Sequence, residues 1–130
     1  MTAFSLKKEL NCSFDDALKR VPEALKSEGF GVLTEIDIQS TLKAKLGVDF
    51  RRYKILGACN PPLAYEALSS VLEVGLMLPC NVVVYENDLE KATVLAIDPT
   101  LTMAAVGEPA LVELAAKVKE KLGLVLAKLE

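Results

Sequence analysis

The apolar residues of this chain switch their spacing repeatedly between two and about 3.6 residues, and that switching restricts its fold more than any other feature. Ala3 to Leu10 alternates, with Phe4, Leu6 and Leu10 on one side and Ser5, Lys7 and Glu9 on the other, which predicts a half-buried strand. Ser13 then supplies an N-cap, with Asp15 and Asp16 in the first turn where the helix dipole favours negative charge. Phe14, Ala17, Leu18, Val21, Ala24 and Leu25 follow at helical spacing up to Gly29, so one helix, kinked at Pro22, is expected. Alternation returns from Phe30 to Ile38 as a second strand. Asp37 caps a short helix over Gln39 to Leu46, which Gly47 stops. Phe50 to Cys59 reads as a third strand, with Tyr53, Ile55, Gly57 and Cys59 opposite Arg52, Lys54, Leu56 and Ala58.

Asn60-Pro61 places Asn at an N-cap and Pro at the first helical position. Leu63, Ala64, Ala67, Leu68, Val71 and Leu72 supply the expected buried stripe, and Val74 to Pro79 has no assignable period. Cys80 to Glu86 is β-branched and aromatic, Asn87-Asp88 has turn chemistry, and Lys91 to Ile97 returns as the second arm of a hairpin that Asp98-Pro99 breaks. Glu108-Pro109 opens a last helix in which Leu111, Leu114, Val118, Leu122, Val125 and Leu129 repeat every three or four residues, close to a coiled-coil seam. The order β-α-β-α-β-α-β-β-α predicts an α+β two-layer sandwich. About five mostly antiparallel strands carry helices on one face, and the other face is left for a partner subunit.

A length of 130 residues predicts a single domain over 1–130. Lys and Arg total 15 against 18 Asp and Glu, a net charge of −3, so no basic field attracts phosphates and no nucleic-acid partner is expected. Histidine is absent, which excludes Ser-His-Asp and Cys-His nucleophiles and every His-ligated metal site. The longest uncharged stretch, Val74 to Tyr85, is interrupted by Pro79 and Asn81 and falls short of the roughly 20 apolar residues of a membrane span. The opening MTAFSLKKEL has no apolar core of a signal peptide, so a soluble, cytoplasmic chain without a membrane partner is expected. A mean hydropathy of +0.32 is high for a soluble domain of this size and predicts a two-fold homodimer.

The glycines build neither a G-x-G-x-x-G loop nor a Walker loop, so no nucleotide cofactor is signalled. Of three cysteines none forms a C-x-x-C pair, and Cys12 reads as plain packing. The unusual pattern is a repeated Cys-Asn: Cys59-Asn60-Pro61-Pro62 closes a strand and opens a helix, and Cys80-Asn81 opens another strand. Brought to one sheet end, Cys59, Asn60, Cys80 and Asn81 form a candidate ligand or thiol site. A thiol at a helix N-terminus is biased toward thiolate, and two such thiols can exchange electrons, carry sulfur or hold a soft metal ion. The plainer account makes both cysteines small apolar side chains and Asn60 only a cap. Asn81 is harder to dismiss, because Asn is depleted in strands. Glu35 and Asp37 read as a solvated edge, Arg51-Arg52 as an anion site or a charged edge, and Ser69-Ser70 as no hydrolase signal. No residue is singled out as catalytic and the cofactor is left unknown; an enzyme, ranked last, would draw its acid or base from Glu, Asp, Lys, Tyr or a thiol. The leading reading is a small binding or thiol-redox protein that acts as a homodimer and takes a small ligand or soft metal ion. The alternative is a self-associating interaction module with inert cysteines.

Gly29-Phe30-Gly31-Val32-Leu33-Thr34-Glu35-Ile36-Asp37 resembles the family called domain of unknown function 302. The resemblance runs through Thr41-Leu42-Lys43 and Lys45-Leu46-Gly47 to Ala96-Ile97-Asp98-Pro99, and is most specific at Tyr53-Lys54-Ile55-Leu56-Gly57-Ala58-Cys59-Asn60-Pro61 and Leu78-Pro79-Cys80-Asn81-Val82-Val83-Val84. It implies a small bacterial or archaeal α+β protein, a fold like that of the TATA-binding protein, and a homodimer. It carries no activity, substrate or cofactor, and the fold likeness carries no DNA binding. Both Cys-Asn segments match the family's motifs, which strengthens the case for a site there.

Overall fold

The period-two segments close into one antiparallel sheet. In the computed structural model, which describes residues 4–129, the strands are β1 (Ser5–Glu9), β2 (Gly31–Asp37), β3 (Tyr53–Cys59), β4 (Cys80–Glu86) and β5 (Ala92–Ile97), side by side in the order β1-β5-β4-β3-β2. Ala3, where the first strand was expected to open, lies outside the described residues. The helices are α1 (Phe14–Ser27), α2 (Ile38–Leu46), α3 (Pro61–Ser70), α4 (Pro99–Ala104) and α5 (Pro109–Ala127), with a 3-10 helix over Leu72–Met77. No helix among the described residues is long and apolar enough to cross a membrane.

Local chemistry accounts for the boundaries. Ser13 Oγ accepts the Asp16 N–H, Asp37 Oδ1 accepts the Ser40 N–H, and Asn60 Oδ1 accepts the Leu63 N–H, so three helices begin on the side-chain caps expected of them. At the end of α1, Phe30 N–H reaches Leu25 O and Gly29 N–H reaches Lys26 O, with Gly29 at φ +85°, the paired bonds of a Schellman stop. Asn87 Oδ1 accepts the N–H groups of Leu89 and Lys91, which folds the β4–β5 hairpin back.

Period two divides the sheet into unlike faces. Leu56 and Ala58, Val82 and Val84, and Val94 and Ala96 are buried under α1 and the C-terminal half of α5, where Val21, Leu25, Leu122 and Val125 meet them. A second, smaller cluster gathers Ala67, Val74, Met103, Leu111 and Ala115 from α3, the 3-10 helix, α4 and the N-terminal half of α5. Helix α5 therefore belongs to both clusters.

Several expectations need correction. Helix α3 ends at Ser70, and Leu72, expected in its buried stripe, is 83% exposed on the 3-10 helix. Residues 74–79 lacked a readable period because they leave that 3-10 turn and enter β4 through a cis Leu78-Pro79 peptide. Asp98-Pro99 ends β5 but also starts α4, Asp98 capping Thr100 and Pro99 taking the first helical position, so one helix more than expected is present. Phe4, placed on the core side, is 55% exposed. Arg51 and Arg52 are taken up by Asp88, Asp15 and Glu86, which fits a charged edge better than an anion site.

Candidate functional site

Between the two apolar clusters lies a cavity of about 320 Å³, within the range of small-molecule sites. Its floor is the end of the sheet where β3 finishes and β4 begins, at Ala58, Cys59 and Cys80. Helix α3 supplies Leu63, Ala64, Ala67 and Leu68, and α5 supplies Leu111, Leu114, Ala115 and Val118. Gly75, Leu78 and Pro79 of the 3-10 segment, Pro99 and Met103 of α4, and Phe30 and Leu33 close the rest. Among the described residues no charged side chain lines it. Small side chains create the space, since Ala64 and Ala67 on α3 face the Ala115 turn of α5 across it.

Three of the four candidate residues are on this wall: Cys59, Asn60 and Cys80. Register sets Ala58 opposite Cys80, and β3 ends at the next residue, so Cys59 and the capping Asn60 reach the same wall where the chain leaves the sheet. Asn81 is the exception. It pairs with Gly57, is exposed, and is not among the residues that line the cavity. Gly57 is obligatory, since a Cβ would fall on the Thr34 hydroxyl and the Pro79 ring. Of the two asparagines, Asn60 is on the cavity wall and Asn81 is not.

Asn60 is 9% exposed, and both ends of its amide are engaged. Oδ1 caps α3, and Nδ2 donates to Glu28 O at 3.3 Å, tying the start of α3 to the end of α1. Gly29 packs against that amide. Glu28 is held by Lys128 at 2.6 Å, and the hydrogen bond from that ammonium keeps the carboxyl below its ordinary value.

The thiols are reduced. Cys59 is partly exposed and Cys80 is buried. Burial pushes the Cys80 thiol up to about 11, and the neighbouring Cys59 adds to the rise. A poised thiolate was expected at this pair, and at Cys80 desolvation gives the opposite. Among the described residues no group of three or more His, Cys, Asp or Glu could hold a metal ion.

Past the cavity wall at Pro99 and Val118, Asp98 and Lys119 pair at 2.9 Å. Burial raises the Asp98 carboxyl, but hydrogen bonds from Thr100 and Lys119 outweigh it and hold it below its ordinary value. Sequence reasoning missed the part played by α4, the 3-10 segment and the first half of α5. The available signal was alanine and glycine at positions where a buried stripe ordinarily carries leucine.

The model of the family described as domain of unknown function DUF302 matches residues 6–129. A crystal structure of an uncharacterized conserved protein DUF302 from Bacillus stearothermophilus is similar, with a TM-score of 0.92 and 32% sequence identity over 99% of this chain and 100% of that chain. No curated protein matches.

Proposed function

The chain belongs to the DUF302 family, and from that membership, which brings no activity with it, we propose that it is a binding protein for a small apolar ligand held in the cavity between the two clusters. The observation that carries this reading is the cavity itself: about 320 Å³ of space lined mostly by apolar side chains, with Cys59, Asn60, Cys80 and the Met103 thioether supplying polar or polarizable atoms. Apolar ligand surface buried against these side chains gains roughly 25 cal/mol per Å². The cysteines serve as soft, polarizable wall atoms. The high proton affinity of Cys80 disfavours rapid thiol exchange there at neutral pH.

The test is titration with 1-aminonaphthalene, a small neutral apolar fluorophore. Saturable enhancement at micromolar concentrations is expected. Ala64→Leu, which fills the cavity from α3, should weaken it at least tenfold while leaving the unfolding midpoint nearly unchanged. Leu114→Phe, at a partly exposed wall residue of α5, is the second variant, in case the first perturbs folding. Absence of enhancement in the wild type would sink the reading.

A second surface favours self-association. The face of the sheet away from the helices presents Ile36, Ile55, Val83, Leu95 and Ile97, with Tyr53 and Tyr85 stacked at 5.7 Å. Helix α2 buries none of its nine residues, and Leu46, Val48 and Phe50 beside it are exposed. A second copy of this chain is the occupant that would cover both.

A further inference from the structure

We infer that the cavity selects an uncharged ligand of roughly ten to twelve non-hydrogen atoms and rejects the carboxylate of the same chain length. This rests on the reading of the cavity as a binding site. The size follows from about 320 Å³ of space at roughly 30 Å³ for each group the size of a water molecule.

The charge selectivity follows from what lines the space. Among the described residues none of the lining side chains is charged, so a buried carboxylate meets no cation among them. The hydrogen-bonding side chain on the wall is Asn60, and its amide already serves Glu28 O and the Leu63 N–H. It keeps one N–H and one lone pair, enough to meet a hydroxyl or carbonyl but not to neutralise an anion. Lys119, next in the chain to the wall residue Val118, is committed to Asp98 at 2.9 Å. Cys80 on the floor is buried with its thiol protonated, and a neutral thiol offers an anion only a weak donor. Alkyl chains suit the walls, because Ala58, Ala64, Ala67, Leu63, Leu68 and Leu111 are aliphatic.

A carboxyl group can enter by picking up a proton. With an ordinary value near 4.3, it would do so at pH 7.3 at a cost of about a thousandfold in affinity. A headgroup left at the mouth escapes part of that, so a penalty of at least tenfold is the expected reading.

The experiment is displacement of 1-aminonaphthalene, a fluorophore within that size, from the wild-type protein by 1-decanol and by decanoate at pH 7.3, both below their aggregation limits. Displacement by decanol with decanoate at least tenfold weaker, and decanoate tightening as the pH is lowered to 6, is the expected result. Equal or stronger displacement by decanoate overturns the charge selectivity and leaves the apolar cavity in place. Bound fluorophore that neither chain displaces overturns the size and class of ligand. A wild-type protein that does not bind the fluorophore removes the site itself, which separates failure of the binding reading from failure of its selectivity.

Discussion

Cys59 and Cys80 are adjacent across two strands and line one cavity, yet they differ in what surrounds them. Cys80 is 7% exposed, and its proton is held by desolvation up to about 11, whereas Cys59 reaches solvent. Alkylation by iodoacetamide at pH 8, read by mass spectrometry, should therefore modify Cys59 well before Cys80. Labelling of Cys80 first, or of both at one rate, would contradict the burial of Cys80. The Cys-Asn repeat was conspicuous in the sequence, but its two asparagines have unrelated duties, since Asn60 braces two helix ends and Asn81 is not on the cavity wall. Spacing alone could not separate them, because which residues meet at one wall depends on the register between strands. Gly29 shows the same dependence. Its φ of +85° is legible as a helix stop, but the amide of Asn60 lies 3.0 Å from where a Cβ would sit. Gly29→Ala should cost about 1 to 2 kcal/mol from the left-handed backbone alone, with further loss if the Asn60 bond to Glu28 O breaks. Urea denaturation measures it, and an unchanged midpoint would show that the latch carries no strain.

Among the elements, α4 is the one that sequence patterning concealed. Six residues give too little period to read, and Asp98-Pro99 signals a strand end as strongly as a helix start. Asp98 anchors it through Thr100 and through Lys119 of α5, so one carboxylate joins the end of β5, the start of α4 and the middle of α5. Held below its ordinary value, Asp98 stays ionised to lower pH in the folded protein than in the unfolded chain. Its contribution is complete above the ordinary carboxylate range and fades as pH falls through the folded value. Asp98→Asn should lower stability at pH 7 by about 1 to 2 kcal/mol, from loss of charge-assisted hydrogen bonds to a cap that Asn still partly supplies. The gap from wild type should narrow at pH 3.5. A gap equal at both pH values would mean that the carboxylate charge is not what holds α4. By contrast α1 was legible throughout, because Ser13, the acidic first turn, the apolar stripe and Gly29 all agree.

For the whole molecule, the sheet has one face filled and one face open. The open face carries aliphatic and aromatic side chains, and α2 stands beside it without a buried residue. Light scattering of the purified protein at micromolar concentration should give twice the mass of the 14.0 kDa chain. Ile55→Lys and Val83→Lys together, placed at paired positions on that face, should shift it toward the single-chain mass without loss of helix content. A wild type that runs as a monomer across the range would leave the open face without a self-association role. The cavity is a property of this same scale, because it exists where the α1–α5 cluster and the α3–α4–α5 cluster fail to merge.

The sequence by itself determined the element types, most of their boundaries and the five strands, because hydrophobic period, capping side chains and turn residues act within a few positions along the chain. It also determined that no histidine chemistry is available. Only the tertiary structure decided the strand order β1-β5-β4-β3-β2, the separation of Asn81 from Cys59, Asn60 and Cys80, the meeting of Pro99, Met103 and Leu111 with those residues, and the proton held by Cys80. Each depends on which distant segments pack together, and on the desolvation that packing imposes. Distances of this kind are set by long-range register and burial, which no local pattern of residues encodes.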